Sequence, residues 1–197
     1  MDTLLQLVNA LRCLPGIGPK SAQRMAYYLL NNQRSKGLHL ASCLQDAMVS
    51  IRHCDRCNNH TTLSLCELCV NSQRDTNVLC IVEHPIDVIA IEQSQAFNGY
   101  YYVLMGKISP MDGIGPEDIG LPKLKRLIDD ENESIQEVIL ALSPTIEGQT
   151  TNHFIHELLR DKPIRVSQLA HGIPSGGELE FLDGKTIGNA LRNRSLF

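Results

Sequence analysis

Two Cys-x-x-Cys pairs, Cys54-Asp55-Arg56-Cys57 and Cys66-Glu67-Leu68-Cys69, stand eight residues apart and constrain this chain more than any other feature. Each pair turns two sulfurs toward one point, and two pairs together complete a tetrahedral set of thiolates. Four thiolates close the coordination shell and leave no position for water or substrate, so the expected site is structural and holds one Zn2+. A redox dithiol would instead need a single Cys-x-x-Cys at the head of a helix that follows a strand. His53 and His60 flank the cysteines and read as bystanders. Only about twenty residues close around the ion, so the metal must supply much of this segment's folding free energy. The other three cysteines, Cys13, Cys43 and Cys80, lie in apolar stretches and read as small buried hydrophobes.

The remainder of the 197 residues, 43% of them apolar, suffices for one good-sized core with one or two satellite modules. Disordered and fibrous classes are excluded. No run approaches the roughly 18 apolar residues that cross a bilayer, and Asp2 stands where a signal peptide would carry positive charge, so a cytosolic protein without a membrane partner is expected. The net charge of -4 hides a strong segregation. Between Thr3 and Gln45 there is no Asp or Glu, whereas Arg12, Lys20, Arg24, Arg34 and Lys36 are all positive. Such a local basic face suits phosphate. Asp129, Asp130, Glu131, Glu133 and Glu137 form an acidic cluster, by default a solvated loop or helix edge.

Leu4, Leu7, Val8 and Leu11 recur at helical spacing and predict a first amphipathic helix ending at Pro15. Pro15-Gly16-Ile17-Gly18-Pro19 is a tight connection in which glycine can take positive φ and Pro19 suits the first turn of the next helix. That helix runs from about Lys20 to Leu30 with Ala22, Met25, Ala26 and Leu29 inward; a third, over 38–51, places Leu40, Leu44, Ala47, Met48 and Ile51 inward. From Val78 the pattern changes. Val78-Leu79-Cys80-Ile81-Val82 is a continuous apolar run ending in Glu83, as expected of a buried parallel strand. A helix over 85–95, a strand over 100–105, a long Gly- and Pro-rich loop, a helix over 121–129, a strand over 138–142, a helix over 151–160 and a short strand over 164–166 complete an alternating α/β order.

Two helices joined by a Gly-Ile-Gly turn resemble a helix-hairpin-helix DNA-binding motif, in which backbone N–H groups and the positive helix end face a phosphate. Lys20 and Arg24, four residues apart, share one face of the second helix and add two charges aimed at a DNA backbone, without sequence preference. Glu83 after one strand, and Ser143-Pro144-Thr145-Ile146-Glu147-Gly148 after another, resemble the Toprim domain of topoisomerases, primases and nucleases. In that domain a glutamate transfers protons and two aspartates hold magnesium. Here Ser143 and Thr145 stand at the aspartate positions, and neutral hydroxyls do not replace carboxylates around a hard ion, so no catalytic residue is assigned. Glu83 and Glu147 either keep a weak hold on one Mg2+ or face solvent or a partner. Gly184-Lys185-Thr186 fails as a phosphate-binding loop because Leu179 occupies the position of its first glycine. His153, His156 and Glu157 lack the order and spacing of a zinc-protease helix.

The order of hairpin, four-cysteine segment, degenerate Toprim and Gly-rich tail resembles the RecR recombination-mediator family over essentially the whole chain. Tyr102-Val103-Leu104-Met105-Gly106-Lys107-Ile108-Ser109-Pro110, Gly113-Ile114-Gly115-Pro116 and the run from Leu169 to Leu179 carry the resemblance further. Ser143 departs from a common Asn and Gln149 from a common Glu. The resemblance implies an α/β fold in four parts: a helix-hairpin-helix over 1–53, a zinc module over 54–76, a Toprim domain over 77–174 and an oligomerisation arm over 175–197. It implies a bacterial cytoplasmic, nucleoid-associated, non-catalytic adaptor that acts with RecO and RecF to load RecA at single-strand gaps. It also implies self-association into dimers and ring-like tetramers able to encircle DNA. Lys20 and Arg24 would contact DNA, Glu83 and Glu147 would form an acidic patch for RecO, and the arm ending in Leu196 and Phe197 would pack on a neighbouring subunit. The competing expectation is a magnesium-dependent Toprim nuclease or primase with Glu83 as general base. A third is a protein scaffold that binds no nucleic acid. The zinc segment, with Arg52, Arg56 and Arg74 as its nearby cations, reads as a rigid joint between hairpin and core and not as a DNA reader.

Overall fold

Asp2 starts the first helix by accepting the Leu4 N–H at 3.0 Å, which satisfies one of the donors that a helix start leaves unpaired. A computed structural model describes residues 2–130, 133–170, 172–173, 176 and 178–192. It divides into two units, Met1–Ile51 and Arg52–Phe197.

The first unit holds α1 (Thr3–Leu11), α2 (Pro19–Asn32) and α3 (Arg34–Ser50). Gly16 takes a left-handed φ of 78° in the turn, and Pro19, its φ already helical, opens α2. Ala22 and Ala26 are fully buried on α2, small side chains that let α1 approach closely. The helices fall where periodicity places them, but their apolar sides are less covered than expected. Met25 is exposed, as are Leu40, Leu44, Met48 and Ile51 of the third helical segment, and α3 has no buried residue. Leu38, Met48 and Val49 are 74%, 77% and 83% exposed. Cys13 and Cys43 are likewise exposed, not buried, and only Cys80 behaves as a core residue. The physical reason is numerical: three helices with two fully buried alanines leave most of their apolar surface without a covering layer.

The second unit begins with a short hairpin of β1 (Arg52–His53) and β2 (His60–Thr61) and a single turn, α4 (Glu67–Val70). There follow β3 (Asp75–Val82), α5 (Pro85–Ser94), β4 (Gly99–Val103), α6 (Leu121–Asp129), β5 (Glu137–Ala141), α7 (Ile146–Leu159), β6 (Arg165–Gln168) and α8 (Gly184–Arg192). The sheet is parallel, in the order β4-β3-β5-β6. Alternate residues serve two cores. Leu79, Ile81, Tyr102, Val138 and Leu140 pack with Leu121, Leu124, Ile155 and Leu159 of α6 and α7 on one face. Cys80, Val82, Tyr101 and Val103 pack with Val88 and Ile91 of α5, and with Leu68 of the cysteine segment, on the other. The tyrosines of β4 satisfy their buried hydroxyls locally, Tyr101 donating to Glu92 Oε1 at 2.6 Å and Tyr102 to the Gly120 carbonyl at 2.6 Å.

α7 starts five residues earlier than the apolar pattern indicates, because Thr145 caps it by accepting the Gly148 N–H at 3.1 Å. Gly148 also sits where a Cβ would lie 2.0 Å from the Ser143 carbonyl oxygen, so the helix approaches the end of β5 through backbone alone. The expected roles of Leu196 and Phe197 lie outside the described residues. Gly148→Ala should destabilise the protein by about 2–3 kcal/mol in urea unfolding. Gly37→Ala on α3, where a Cβ would meet only ordinary contacts of 3.7 Å or more, should stabilise it by up to about 1 kcal/mol.

Candidate functional site

Three groups of residues carry chemistry. On α2, Lys20 and Arg24 are exposed and four residues apart, and among the described residues neither has an ion-pair partner. The turn before them ends in Gly18 and Pro19, so the first N–H groups of α2 are directed away from the helix body with no side-chain cap. Two exposed cations beside uncapped donors match a phosphate backbone in charge and in hydrogen-bond type.

The second group is the cysteine cluster. The sulfurs of Cys54, Cys57, Cys66 and Cys69 all lie within 4.8 Å of one another, and Cys54, Cys57 and Cys66 are buried. Zinc–sulfur bonds of about 2.3 Å imply sulfur–sulfur edges of about 3.8 Å, so the set fits a tetrahedral ion such as zinc. Asn58 holds the first knuckle with a left-handed φ of 63°, and the Cys66 N–H donates to Cys54 Sγ at 3.3 Å. Cys66 is held well below the ordinary thiol range by hydrogen bonds from Cys57 and then Cys69, while Cys57 is pushed up by the hydrogen bond its thiol donates to Cys66. His53 and His60 pack edge to face on each other, their ring centroids 5.4 Å apart, and stand outside the cluster.

Arg56 supplies an independent sign of fit. Its Nε and Nη2 donate to Glu133 at 2.9 and 2.7 Å, and the guanidinium stacks on Tyr100 with its carbon 3.9 Å from the ring centroid. Its Nη1 is buried without a hydrogen-bond partner, and the guanidinium lies beside Cys69. An ion held by four thiolates leaves negative charge on the sulfurs, and that charge is what this cation faces. Lys123 adds a second cation by donating to the Cys54 carbonyl at 2.7 Å. Backbone joins the module to the sheet as well, with Val103 N–H on the Cys57 carbonyl at 2.9 Å and Asn58 Nδ2 on the Val103 carbonyl at 2.8 Å. All three arginines of the segment are committed to carboxylates: Arg52 to Asp55, Arg56 to Glu133 and Arg74 to Glu92. Arg56 and Arg74 are thereby withdrawn from solvent, while the Arg52 pair stays at the surface.

The third group stands at the carboxyl end of the sheet, between β3 and β5, where the strand order reverses and α/β proteins place ligands. Glu83 is 7% exposed, and its Oε1 accepts the Ser143 N–H at 2.6 Å. Lys107, for which the sequence suggested no role, reaches into the same place. Its Nζ lies 3.6 Å from Glu83 Oε2 and donates to Ser143 Oγ at 3.1 Å and Thr145 Oγ1 at 3.5 Å. Glu147, at the start of α7, is held below the usual carboxylate range by its own backbone N–H and then by the Thr145 hydroxyl. The structure thus brings Glu83, Ser143 and Thr145 together but leaves Glu147 at the rim, and Glu83 has little surface to offer a partner. A magnesium ion does not fit this donor set: the one buried carboxylate already faces an ammonium, and the hydroxyls accept from that same ammonium. One signal for Lys107 was present, since it is the single Lys or Arg between Arg74 and Lys123, in a stretch that also contains Glu83.

A glycine-turned helix pair with an exposed basic face, a four-cysteine cluster and a parallel sheet whose carboxyl end sets Glu83 against Lys107 define a protein that carries a helix-hairpin-helix and a Toprim domain. Comparison with known families agrees part by part: residues 77–170 match the Toprim domain, 4–48 the helix-hairpin-helix of RecR and 172–195 the RecR C-terminal region. Recombination protein RecR of Legionella pneumophila strain Philadelphia 1 is 67% identical over 196 residues, which is 100% of this chain and 98% of that protein. The RecR proteins of strains Corby and Paris match to the same 67% over the same coverage. The chain belongs to the RecR family. Among the described residues, no helix is long and apolar enough to cross a membrane.

Arg56→Met should cost about 2 kcal/mol in urea unfolding, since it strands Glu133 and removes the cation beside Cys69. Cys66→Ser should lower the melting temperature further and abolish retention of one metal equivalent per chain, read by inductively coupled plasma mass spectrometry.

Proposed function

We propose that this chain is a non-catalytic DNA-binding clamp and adaptor in recombinational DNA repair, acting with RecO and RecF to help load RecA at single-strand gaps in the bacterial cytoplasm. The observation that carries the reading is the pair Lys20 and Arg24, exposed on α2 behind a glycine turn and, among the described residues, without an ion-pair partner, beside helix-start N–H groups that no side chain caps. Contacts of this kind recognise the backbone and not the bases. One hairpin offers few of them, so several hairpins on one assembly gain by effective concentration. The division into a hairpin over 1–53, a four-cysteine module over 54–76 with Zn2+ as its ion, a Toprim domain over 77–174 and an arm over 175–197 belongs to the same reading.

Self-association to a dimer or tetrameric ring is supported by the uncovered side of α3, where Leu38, Leu44, Met48 and Val49 present apolar surface to solvent. In the partner-binding role, Glu147 provides the accessible charge of the acidic patch, and Glu83 acts from beneath by fixing the backbone at Ser143. The absence of paired carboxylates at Ser143 and Thr145, together with Lys107 in the site, argues against the nuclease reading.

Lys20→Glu with Arg24→Glu should abolish binding to single-stranded and gapped DNA in fluorescence anisotropy at low salt, with the circular dichroism melt unchanged. The single charge-neutral variants should each lower the slope of log affinity against log salt by about one. Unchanged DNA affinity in the double variant would overturn the clamp, and Glu83-dependent cleavage of nicked DNA in Mg2+ would restore the nuclease. Leu44→Glu with Met48→Glu should reduce the mass in solution to that of one chain, by light scattering.

A further inference from the structure

The carboxyl end of the sheet contains a cation that belongs to the chain. Lys107 is carried there by an unusual stretch of backbone. Met105 adopts a left-handed φ of 67°, and Gly106, at φ 157°, passes so close to Ile119 that a Cβ would sit 3.1 Å from its Cγ2. The Ile108 N–H then donates to Thr151 Oγ1 at 3.0 Å, and Thr151, fully buried on α7, passes the bond on to the Glu147 carbonyl at 2.7 Å. Residues on both sides of Lys107 are therefore fixed, and a non-glycine residue is held at positive φ to achieve it, a cost that persists only where the surroundings over-determine it. The Lys107 side chain is 28% exposed and that of Glu83 9%, so the pair is largely withdrawn from water. Its remaining partners are the two hydroxyls, and Glu147 and Asp112 supply the next charges at the rim.

We propose that Lys107 is the resident cation of this Toprim site: its ammonium takes the place of a divalent ion, neutralises Glu83, orders Ser143 to Thr145 and makes the domain indifferent to magnesium. The inference rests on the Toprim fold and not on the clamp reading, so DNA binding is not its readout. A buried carboxylate needs a counter-charge; Lys107 already supplies it, and its ammonium occupies the space between Glu83 and the two hydroxyls that an entering divalent ion would use as donors. Magnesium entry therefore requires that the lysine leave.

The test uses full-length, metal-loaded protein and thermal denaturation with and without MgCl2 at matched ionic strength; magnesium avoids the thiolate cluster because it is a hard, oxygen-seeking ion. Wild type should show no magnesium-dependent shift. Lys107→Ala should melt roughly 5 °C lower in the absence of divalent ions and recover part of that loss in Mg2+. Recovery should vanish when Glu83→Gln is added. Lys107→Arg, which keeps the charge, should remain indifferent to Mg2+, and this separates loss of charge from loss of packing. A Glu83-dependent Mg2+ shift in wild type would overturn the proposal, as would a Lys107→Ala protein that gains no response to Mg2+.

Discussion

The parallel register that sets Val82 of β3 beside both Val103 of β4 and Ala141 of β5 decides what this molecule can do at one end of its sheet. Because β3 is shared by two neighbours, the residues that leave the three strands emerge together. Glu83 follows β3, Lys107 comes off the loop after β4, and Ser143 and Thr145 follow β5. The ladder aligns the ends of β3 and β5, and Lys107 is brought to them by a loop tied to Thr151 of α7 and packed against Ile119. The 2.6 Å bond from the Ser143 N–H to Glu83 then joins two strand ends that the ladder has already placed side by side.

The cysteine module depends on that same sheet. Leu68 sits in the second core beside Val88 and Ile91, Val103 donates to Cys57, and Arg56 spans from Cys69 to Glu133 over the face of Tyr100. A segment with so few apolar residues would draw its folding free energy from an ion on the four sulfurs, and Arg56 beside Cys69 and Lys123 on the Cys54 carbonyl are the cations placed to face the charge. Arg56 and Arg74 serve structure, each held against a carboxylate of the sheet domain.

Much of this was legible in the residues, for reasons that differ from part to part. Ligand spacing is a local geometric property, so Cys54, Cys57, Cys66 and Cys69 announce themselves without knowledge of the fold. Buried parallel strands are continuous apolar runs, and Val78 to Val82 and Val138 to Leu142 could be placed within a few residues. Periodicity located α3 but could not say whether anything covers it, because a stripe of Leu40, Leu44 and Met48 looks the same with or without a neighbour. Arg56 counted as a nearby cation, and its commitment to a residue 77 positions away was invisible. Lys107 was hidden in the same way: its partner lies on another strand, and only the sheet order brings them together.

At Gly148 the approach of α7 to the end of β5 is made by backbone on both sides, since no side chain fits between that glycine and the Ser143 carbonyl. The closeness of the approach is thus set by backbone, and at 145 any side chain able to accept the Gly148 N–H would keep the helix cap while changing the chemistry of the cradle. Under that condition a lineage could exchange the residues at 143, 145 and 107 and move between a site that gathers metal and one that carries its own ammonium, by point substitution. Reactivity at this edge of the sheet is heritable within one backbone form.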